Sequence, residues 1–326
     1  MCAYDRKAGA KVDAKWISRG YLVNKEDIKM YDMIIIGAGP AGISAAIYGK
    51  SRGKKVLVLE KRQVGGLIGM VSTVTHYAAI VQEETGNTFA ERMKKQALDA
   101  GVEIRYESVI EVKLTGEVKK VITDKQGYES RTLILANGGS GRMLGIPGES
   151  LKGVRLNAPK DGLAYKGKNV YVIGGADGAV KEALYLAEIA GRVIIVCVED
   201  ELACIQEFKD KVVMHDNIEV MPHSSLTAVY GSETVEELEF TDNKTGKKQI
   251  VKDSECGVFV YAGIIPNTQM YTELRLDEGY IPVDDCMQTE IPGVFAAGDI
   301  RVKKVRQVAT AVADGAVAGI QAAAMC

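Results

Sequence analysis

Two glycine-rich segments of the chain have residue types and spacing suited to phosphate binding. The first reads Gly37-Ala38-Gly39-Pro40-Ala41-Gly42 and follows the apolar run Met33-Ile34-Ile35-Ile36. A strand that turns tightly into a helix presents backbone N–H groups and the positive end of the helix dipole to a pyrophosphate. A tight turn without a ligand is the alternative explanation for the glycines alone. The small-residue helix that follows favours dinucleotide binding.

An acid at the end of the next apolar run supports the same interpretation. Glu60 lies 23 residues after Gly37. An acidic residue about 20 residues after the first glycine accepts hydrogen bonds from ribose hydroxyls in dinucleotide-binding units. We therefore predict that Glu60 binds the ribose of the same ligand.

The second segment, Gly174-Gly175-Ala176-Asp177-Gly178-Ala179, lacks the middle glycine. Ala176 stands where a glycine would let the backbone touch the phosphates. Glu199, 25 residues after Gly174, has two interpretations: it accepts the ribose hydroxyls of NADH, or it is a solvated acid in a vestigial site. The contrast predicts a flavoprotein whose second nucleotide site has lost or changed its ligand.

Apolar runs punctuated by Gly and Pro predict the elements that hold these segments. Each segment lies in a β-α-β unit, over residues 32–60 and 168–199. The predicted helices are 40–52, 88–100, 180–190 and one from about Arg306, and the predicted strands of the second unit include 218–221, 226–230, 235–240 and 249–251. We predict an α/β fold with two Rossmann-like (three-layer ββα) nucleotide-binding domains, the second inserted into the first.

Composition excludes several classes of partner. The 326 residues are 47% hydrophobic and 26% charged, with a net charge of −2 and no long basic block, so neither nucleic acid nor membrane is expected as a partner. Six cysteines form no C-x-x-C and no metal-ligand spacing, which predicts no metal site and a reducing cytoplasmic location.

The first 29 residues have two interpretations. Lys25-Glu26-Asp27 can be encoded by a purine-rich ribosome-binding sequence just before Met30, so that translation begins at Met30. Alternatively, residues 1–29 form an N-terminal arm that packs through Trp16, Ile17, Tyr21 and Leu22.

From Met30 onward the order of motifs resembles the low-molecular-weight thioredoxin reductases, within the pyridine nucleotide-disulfide oxidoreductases. The matching stretches are 34–42, Gly65-Gly66, 135–138, 144–149, Pro266-Asn267-Thr268, 294–299 and Arg306-Gln307. The resemblance implies an FAD-binding domain formed by residues 30–140 and 265–326, and an inserted NAD(P)-binding-like domain over 141–264. It also implies a homodimer.

The resemblance also assigns residues to the flavin. The family's Gly-Asp pair reaches the ribityl chain, and its Arg-Gln pair opens a helix facing the flavin ring, where a helix N-terminus stabilises negative charge. His76 falls beside the family's flavin, although simple loop packing explains it equally well. The residues predicted to contact FAD are Gly37, Gly39, Pro40, Ala41, Gly42, Glu60, Gly66, His76, Ala136, Gly138, Gly298, Asp299, Arg306, Gln307 and Val308.

Two departures from the family pattern change the predicted chemistry. Where the family carries its redox-active C-x-x-C, this chain reads Asn157-Ala158-Pro159-Lys160, so no thiol pair can relay electrons. Asn157 and Lys160 are the candidate catalytic residues, Lys160 as a cation that approaches the flavin or, alternatively, as an exposed turn residue. Where two family arginines hold the 2′-phosphate of NADPH, the chain reads Val198-Glu199, which disfavours NADPH and leaves NADH open.

Three functions remain after these departures. The first is an FAD oxidoreductase that exchanges electrons with a ferredoxin-like protein carrier and has no internal dithiol. The second is an NADH-dependent flavin enzyme that acts on a small acceptor. A disulfide reductase that uses Cys204, Cys286 or Cys326 is a separate alternative, although the sequence shows no pairing of these cysteines. The third is a non-catalytic flavin-bound subunit.

Overall fold

The sheet that carries the first glycine-rich segment is built around a long strand whose last four residues are buried. In this computed structural model the backbone is described for residues 16–18, 21–23 and 28–326, and side chains for 28–326. Strands β1 (Trp16–Ser18) and β2 (Tyr21–Val23) pair antiparallel. The predicted packing of Trp16, Ile17, Tyr21 and Leu22 concerns side chains outside the described part.

Seven strands form the sheet of what we call the outer unit. Its strands are β3 (Lys29–Ile36), β4 (Val56–Glu60), β5 (Glu103–Tyr106), β6 (Val109–Lys113), β7 (Lys119–Thr123), β8 (Gly127–Leu135) and β19 (Val294–Ala296). The parallel order is β5-β4-β3-β8, with β19 parallel to the end of β8 and the β6-β7 hairpin antiparallel to its start. Apolar runs such as that of β3 are expected in a sheet covered on both faces.

Helices α1 (Pro40–Lys50), α2 (Gly86–Asp99) and α6 (Val308–Ala324) cover one face of this sheet. Two glycines of α6 allow α1 to approach closely, because a Cβ on Gly315 would overlap the backbone of Ala41, and one on Gly319 the backbone of Ala45. The other face packs on residues between β18 and β19, including Tyr271 and Ile281. The start of α1 is thereby fixed beside the end of β3.

The inserted unit contains a five-stranded parallel sheet and a three-stranded antiparallel sheet. The parallel order is β10 (Val154–Arg155), β17 (Gly257–Val260), β11 (Asn169–Ile173), β12 (Arg192–Val196) and β13 (Ile218–Met221). The antiparallel strands are β14 (Ser224–Tyr230), β15 (Glu237–Asp242) and β16 (Lys248–Lys252). Helices α3 (Ala158–Asp161), α4 (Asp177–Ala187) and α5 (Gln206–Met214) complete it.

The chain crosses between the two units at one place. Strand β9 (Gly139–Gly141) leaves the outer unit and pairs antiparallel with β18 (Ile264–Pro266), which returns to it. Two asparagines fasten this crossing, because Asn137 Nδ2 donates to the Asn267 carbonyl (2.8 Å) and Asn267 Nδ2 donates to the Asn137 carbonyl (2.7 Å). The inserted unit therefore interrupts the outer unit, and the predicted fold class is confirmed.

Several predicted bounds were wrong. Helix α4 begins at Asp177 and not at residue 180, and the last helix begins at Val308 and not at Arg306. Strand β15 spans Glu237–Asp242, two residues later than predicted. Helices α3 and α5 and the β9-β18 pair were not predicted as elements.

Within the described residues, no helix has both the length and the apolar character that crossing a membrane requires.

Candidate functional site

The three glycines of the first segment are needed for three different reasons. Gly37 has a φ of +103°, and a Cβ there would lie 2.5 Å from the Ala136 carbonyl oxygen. A Cβ on Gly42 would overlap the Gly37 carbonyl. At Gly39 the nearest atom to a Cβ is 4.0 Å away, so the space above Gly39 is open. That open space is where the fingerprint requires the pyrophosphate to approach the backbone.

The N-terminus of α1 is available to an anion. Gly39 is its N-cap and supplies no side chain, Pro40 occupies the first turn, and that turn has no acidic residue. The unpaired N–H groups of a first helical turn and the helix dipole favour negative charge. Gly66 lies close by, since a Cβ on it would be 3.5 Å from the Gly39 Cα.

Glu60 ends β4 beside the same loop. Its Oε2 accepts from the Ala38 N–H and its Oε1 accepts from the Arg62 N–H, both at 2.9 Å. A carboxylate has about four lone-pair sites. Glu60 therefore stiffens the loop and retains acceptor capacity for the predicted ribose hydroxyls.

Asp299 lies three residues after β19, and the Gly298 before it packs on α1, since a Cβ on Gly298 would be 2.9 Å from the Ala41 Cβ. Its Oδ1 is buried and has no hydrogen-bond partner in the described structure. Buried polar atoms are nearly always hydrogen-bonded, so an orphaned acceptor indicates a missing donor such as a ligand hydroxyl. Ala136 and Gly138 follow β8, the neighbouring strand, at the same end of the sheet.

The loop before α6 contains the remaining predicted flavin residues. Gln307 is the N-cap of α6, and its N–H donates to Thr310 Oγ1 at 3.2 Å. Val308 opens the helix, whose first turn has no acidic residue. Arg306 lies before the helix, with its guanidinium 4.1 Å from the Tyr280 ring centre and its Nε buried without a partner.

These features fit the FAD that the sequence resemblance implies. The bare Gly39 backbone and the uncapped α1 suit a pyrophosphate, and the unpartnered Asp299 Oδ1 suits a polar chain of hydroxyls. Of the predicted set, the structure brings the glycine loop, Glu60, Gly66, the ends of β8 and β19 and the start of α6 to one edge of the outer sheet.

The second glycine-rich segment has a different electrostatic character. Ala176 is the N-cap of α4, and Asp177 lies in the first turn with its Oδ1 accepting from the Ile205 N–H at 2.9 Å. A fixed acid at a helix N-terminus competes with a bound phosphate. Glu199 lies near Gly175, with its Oε2 3.4 Å from a Cβ placed there. Gly174 and Gly175 thus form the expected turn, and Asp177 lies at the end of the helix that a phosphate would face.

Asn157 and Lys160 occupy the two ends of the short helix α3. The Asn157 side-chain oxygen caps the helix by accepting from the Lys160 N–H at 3.0 Å. The Lys160 side chain is exposed and has no ion-pair partner among the described residues. Among the described residues, neither side chain forms a hydrogen bond or an ion pair with the flavin residues at the edge of the outer sheet.

His76 lies at the junction of the two units. Its ring is 5.9 Å from the Phe208 ring, and its Nε2 is 3.9 Å from Glu207 Oε2, both on α5. Nearby, the Ser72 N–H donates to Glu182 Oε1 at 3.0 Å, while Ser72 Oγ and Glu182 Oε2 are buried without partners. Burial raises the pKa of Glu182, an effect only partly opposed by the Ser72 N–H and Lys181.

The described cysteines form no disulfide with one another. Burial raises the pKa of Cys204 and of Cys326, which makes both weaker nucleophiles, and Cys286 is exposed.

Residues 31–315 match the family described as pyridine nucleotide-disulphide oxidoreductase. Among curated proteins, a thioredoxin reductase from Peptoclostridium acidaminophilum is 39% identical over 302 residues, which cover 90% of this chain and 96% of that protein. A 34.2 kDa protein in the rubredoxin operon of Clostridium pasteurianum is 36% identical over 300 residues, with 90% and 96% covered.

Two solved structures are similar to this chain to different degrees. Thioredoxin reductase from Lactococcus lactis in its FR conformation has a TM-score of 0.87 at 32% identity, covering 90% of this chain and 98% of that chain. A ferredoxin-flavin thioredoxin reductase from Clostridium acetobutylicum has a TM-score of 0.51 at 29% identity, with 91% and 98% covered.

Proposed function

The chain belongs to the pyridine nucleotide-disulphide oxidoreductase family and is an FAD-dependent oxidoreductase of thioredoxin reductase type; from this premise we propose that it passes electrons between FAD and a ferredoxin-like protein carrier without an internal dithiol. When bound, FAD supplies the capacity to accept and release electrons. The Gly37–Gly42 loop would bind its pyrophosphate, Glu60 its ribose and Asp299 its ribityl hydroxyls.

One observation carries the proposal. At α3, the position of the family's thiol pair by sequence resemblance, an amide caps the helix and a lysine ammonium faces solvent. An amide and an ammonium cannot be oxidised and reduced as thiols can, so an electron carrier must react with the flavin by another route.

Similar proteins support a protein partner. One relative lies in a rubredoxin operon, and one structural neighbour is a ferredoxin-flavin thioredoxin reductase. In α3 and just after it the chain also offers exposed apolar and cationic side chains that suit an acidic carrier. Leu163 is 68% exposed, and Lys160 and Lys166 have no acidic partner in the described structure, although α3 also carries one acid, Asp161.

A second candidate is an NADH-dependent flavin enzyme that reduces a small-molecule acceptor. The position of Glu199 beside Gly175 favours it, because an acid there selects ribose hydroxyls over a 2′-phosphate. Asp177 argues against it, because a negative charge in the first turn of α4 disfavours a pyrophosphate at that helix end.

Anaerobic reduction of the flavin tests these functions. Reduced ferredoxin, NADH and NADPH are offered separately, and flavin absorbance is followed after mixing. Rapid bleaching with reduced ferredoxin alone supports the proposal, bleaching with NADH supports the second candidate, and no response to any donor contradicts both.

Assembly and location remain part of the proposal. We propose a homodimer, which light scattering of the purified protein would test, and a cytoplasmic location, which the free thiols of the described cysteines support.

A further inference from the structure

A buried lysine lies beneath Asp299. The Lys303 side chain is only 6% exposed, and its Nζ is 3.1 Å from Asp314 Oδ2, 3.2 Å from Thr310 Oγ1 and 3.4 Å from Asp299 Oδ1. A buried ammonium is costly unless it is paired and hydrogen-bonded. The Lys303 ammonium donates hydrogen bonds to Asp314 and Thr310, and it forms an ion pair with Asp299.

Asp314 has a second cation partner in Arg301. Arg301 binds it through two nitrogens, Nε at 2.8 Å and Nη2 at 2.6 Å, and the Gly298 N–H donates to its Oδ2 at 3.1 Å. Burial acts to raise the pKa of Asp314, but the bonds and charges of Arg301 and Lys303 outweigh burial and hold that pKa below its usual range. With Arg301 paired to Asp314, the charge of Lys303 is balanced by Asp299.

The ion pair between Lys303 and Asp299 leaves Asp299 Oδ1 without a hydrogen bond from any described residue. Although Lys303 Nζ is 3.4 Å from Asp299 Oδ1, that oxygen forms no hydrogen bond in the described structure. A carboxylate has about four lone-pair sites, so an oxygen that makes no hydrogen bond to the nearby cation can still accept from a ligand hydroxyl. The cation thus fixes where Oδ1 lies without occupying its hydrogen-bonding capacity.

We propose that Lys303 is a positioning residue for FAD, which holds the Asp299 carboxylate in place to accept a ribityl hydroxyl. The proposal rests on the proposed role of Asp299 as an FAD ligand. Lys303 lies outside the Gly298-Asp299 motif, and the cluster forms because α6 brings Thr310 and Asp314 beneath the loop that follows β19.

FAD affinity of the full-length apoprotein tests this role. Apoprotein freed of flavin is titrated with FAD, and quenching of flavin fluorescence gives Kd. We expect Lys303→Met to weaken binding about tenfold, the equivalent of ~1.4 kcal/mol. Lys304→Met, which removes the exposed neighbouring cation, should leave Kd within about twofold, the size of a surface charge effect.

A double-mutant cycle separates positioning from a merely structural role. If Lys303 acts through Asp299, Lys303→Met should change Kd less than about twofold in an Asp299→Asn background. Lys303→Gln keeps a hydrogen-bond donor and removes the charge, so it should weaken binding as Lys303→Met does, and it serves if Lys303→Met fails to fold.

Two results would overturn the proposal: an unchanged Kd in Lys303→Gln, or equal losses from Lys303→Met in the wild-type and Asp299→Asn backgrounds. If Asp299→Asn itself leaves Kd unchanged, the proposed FAD role of Asp299 fails instead, and the inference about Lys303 fails with it.

Discussion

At the scale of single residues, Gly39 and Ala176 occupy the same structural position in two similar units. Each is the N-cap of the helix that follows the first strand, with φ of −73° and −84° and extended ψ. Any residue adopts that backbone conformation. The absence of a side chain at Gly39 is therefore explained by the space above it, and Ala176 shows that the fold tolerates a Cβ at this position.

We expect Gly39→Val to abolish FAD binding while the protein still folds, because the branched side chain would fill the open space predicted to hold the pyrophosphate. The measurement is the absorbance of purified protein near the flavin bands, with cofactor released by heat and identified by chromatography. Ala176→Val is the matched control and should keep its FAD. Bound FAD in Gly39→Val, or FMN in the wild type, would contradict the assignment.

Lys160 makes a second residue-scale prediction. Because its charge is exposed and unpaired in the described structure, we expect it to act on the approach of an acidic carrier. Lys160→Glu should slow flavin reduction by reduced ferredoxin several-fold at low salt, and the difference should shrink as salt is added. Stopped-flow rates at two or more ionic strengths provide the measurement.

The flavin midpoint potential of Lys160→Met distinguishes this role from the catalytic one. If the Lys160 charge lies over the flavin ring, its removal in Lys160→Met should make the flavin harder to reduce by some tens of millivolts, about 1 kcal/mol or more. An unchanged potential together with slower reduction by ferredoxin supports the docking role. An unchanged rate and an unchanged potential would leave Lys160 as an ordinary residue of the α3 turn.

At the scale of elements, helix α4 and the loop that carries Ser72 form a contact sensitive to protonation. Glu182 on α4 is 2% exposed and accepts from the Ser72 N–H, and the adjacent Lys181 Nζ donates to the Thr73 carbonyl at 3.0 Å. The charged group beside Glu182 is Lys181, whose own pKa is lowered by burial against the opposing charges of Glu182 and Asp177. Tyr261 also faces Glu182, and its pKa is raised by burial and by the charge of Glu182.

The sign of this linkage follows from the raised pKa of Glu182. The contact between α4 and the Ser72 loop is strongest below the pKa of a solvent-exposed glutamate. At such a pH Glu182 is protonated whether the contact is formed or broken. The contact weakens as the pH rises through the raised pKa, because it must then release a proton or bury a charge. We expect the two units to separate more readily as pH rises from about 5 to 8.

Small-angle X-ray scattering across that pH range measures the separation of the units. In Glu182→Gln the side chain keeps an acceptor for the Ser72 N–H and cannot ionise, so the scattering curve should not change with pH. Glu188→Gln, on an exposed residue just beyond the end of α4, is the control and should behave as the wild type. Scattering of wild-type protein that is independent of pH would contradict the linkage.

The sequence predicts elements whose signal is local. The apolar runs of β3, β4, β11 and β12 and the glycines before α1 define both β-α-β units, because strand burial and tight turns leave a pattern in neighbouring residues. Helix α5 was missed because its apolar residues follow no clear period, with Val213 and Met214 exposed at its end. The β9-β18 pair was missed because three-residue strands carry little periodicity.

The residues of the candidate site likewise fall into those that the sequence predicts and those that it does not. Gly39, Glu60 and Asp299 lie in recognisable motifs. Contacts between distant residues leave no such trace: Glu182 meets Ser72 across 110 positions, and its burial could not be predicted from a charged residue on a helix. The spacing of Asp314 on α6 likewise gives no sign that it binds Arg301 and Lys303.

At the scale of the whole molecule, two structural neighbours have similar sequence identity to this chain but differ in how closely their structures match it. The two solved relatives are 32% and 29% identical and are each covered to 98%, yet their TM-scores are 0.87 and 0.51. A change in the relative orientation of two otherwise similar units lowers a TM-score in this way. The single crossing at β9 and β18 is the place where such a change would occur.

The predicted loss of the thiol pair and the predicted loss or change of the second nucleotide ligand make separate whole-molecule predictions, which one pair of substitutions can distinguish. We expect wild-type protein to show no NADPH-dependent reduction of thioredoxin. In Asn157→Cys/Lys160→Cys the two thiols would lie at the ends of one helical turn, where Cα atoms come close enough for a disulfide. With reduced ferredoxin as donor, this double variant should reduce thioredoxin, and with NADPH it should still fail, because Glu199 and Asp177 disfavour that nucleotide.

The single variants Asn157→Cys and Lys160→Cys are the matched controls for this experiment, since one thiol cannot form an internal disulfide. Both should be inactive toward thioredoxin with every donor, while their flavin is reduced as in the wild type. Thioredoxin reduction by wild-type protein with NADPH would show that another thiol pair and a working nucleotide site exist. Failure of the double variant with a donor that reduces its flavin would mean that α3 does not reach the flavin in any arrangement of the two units.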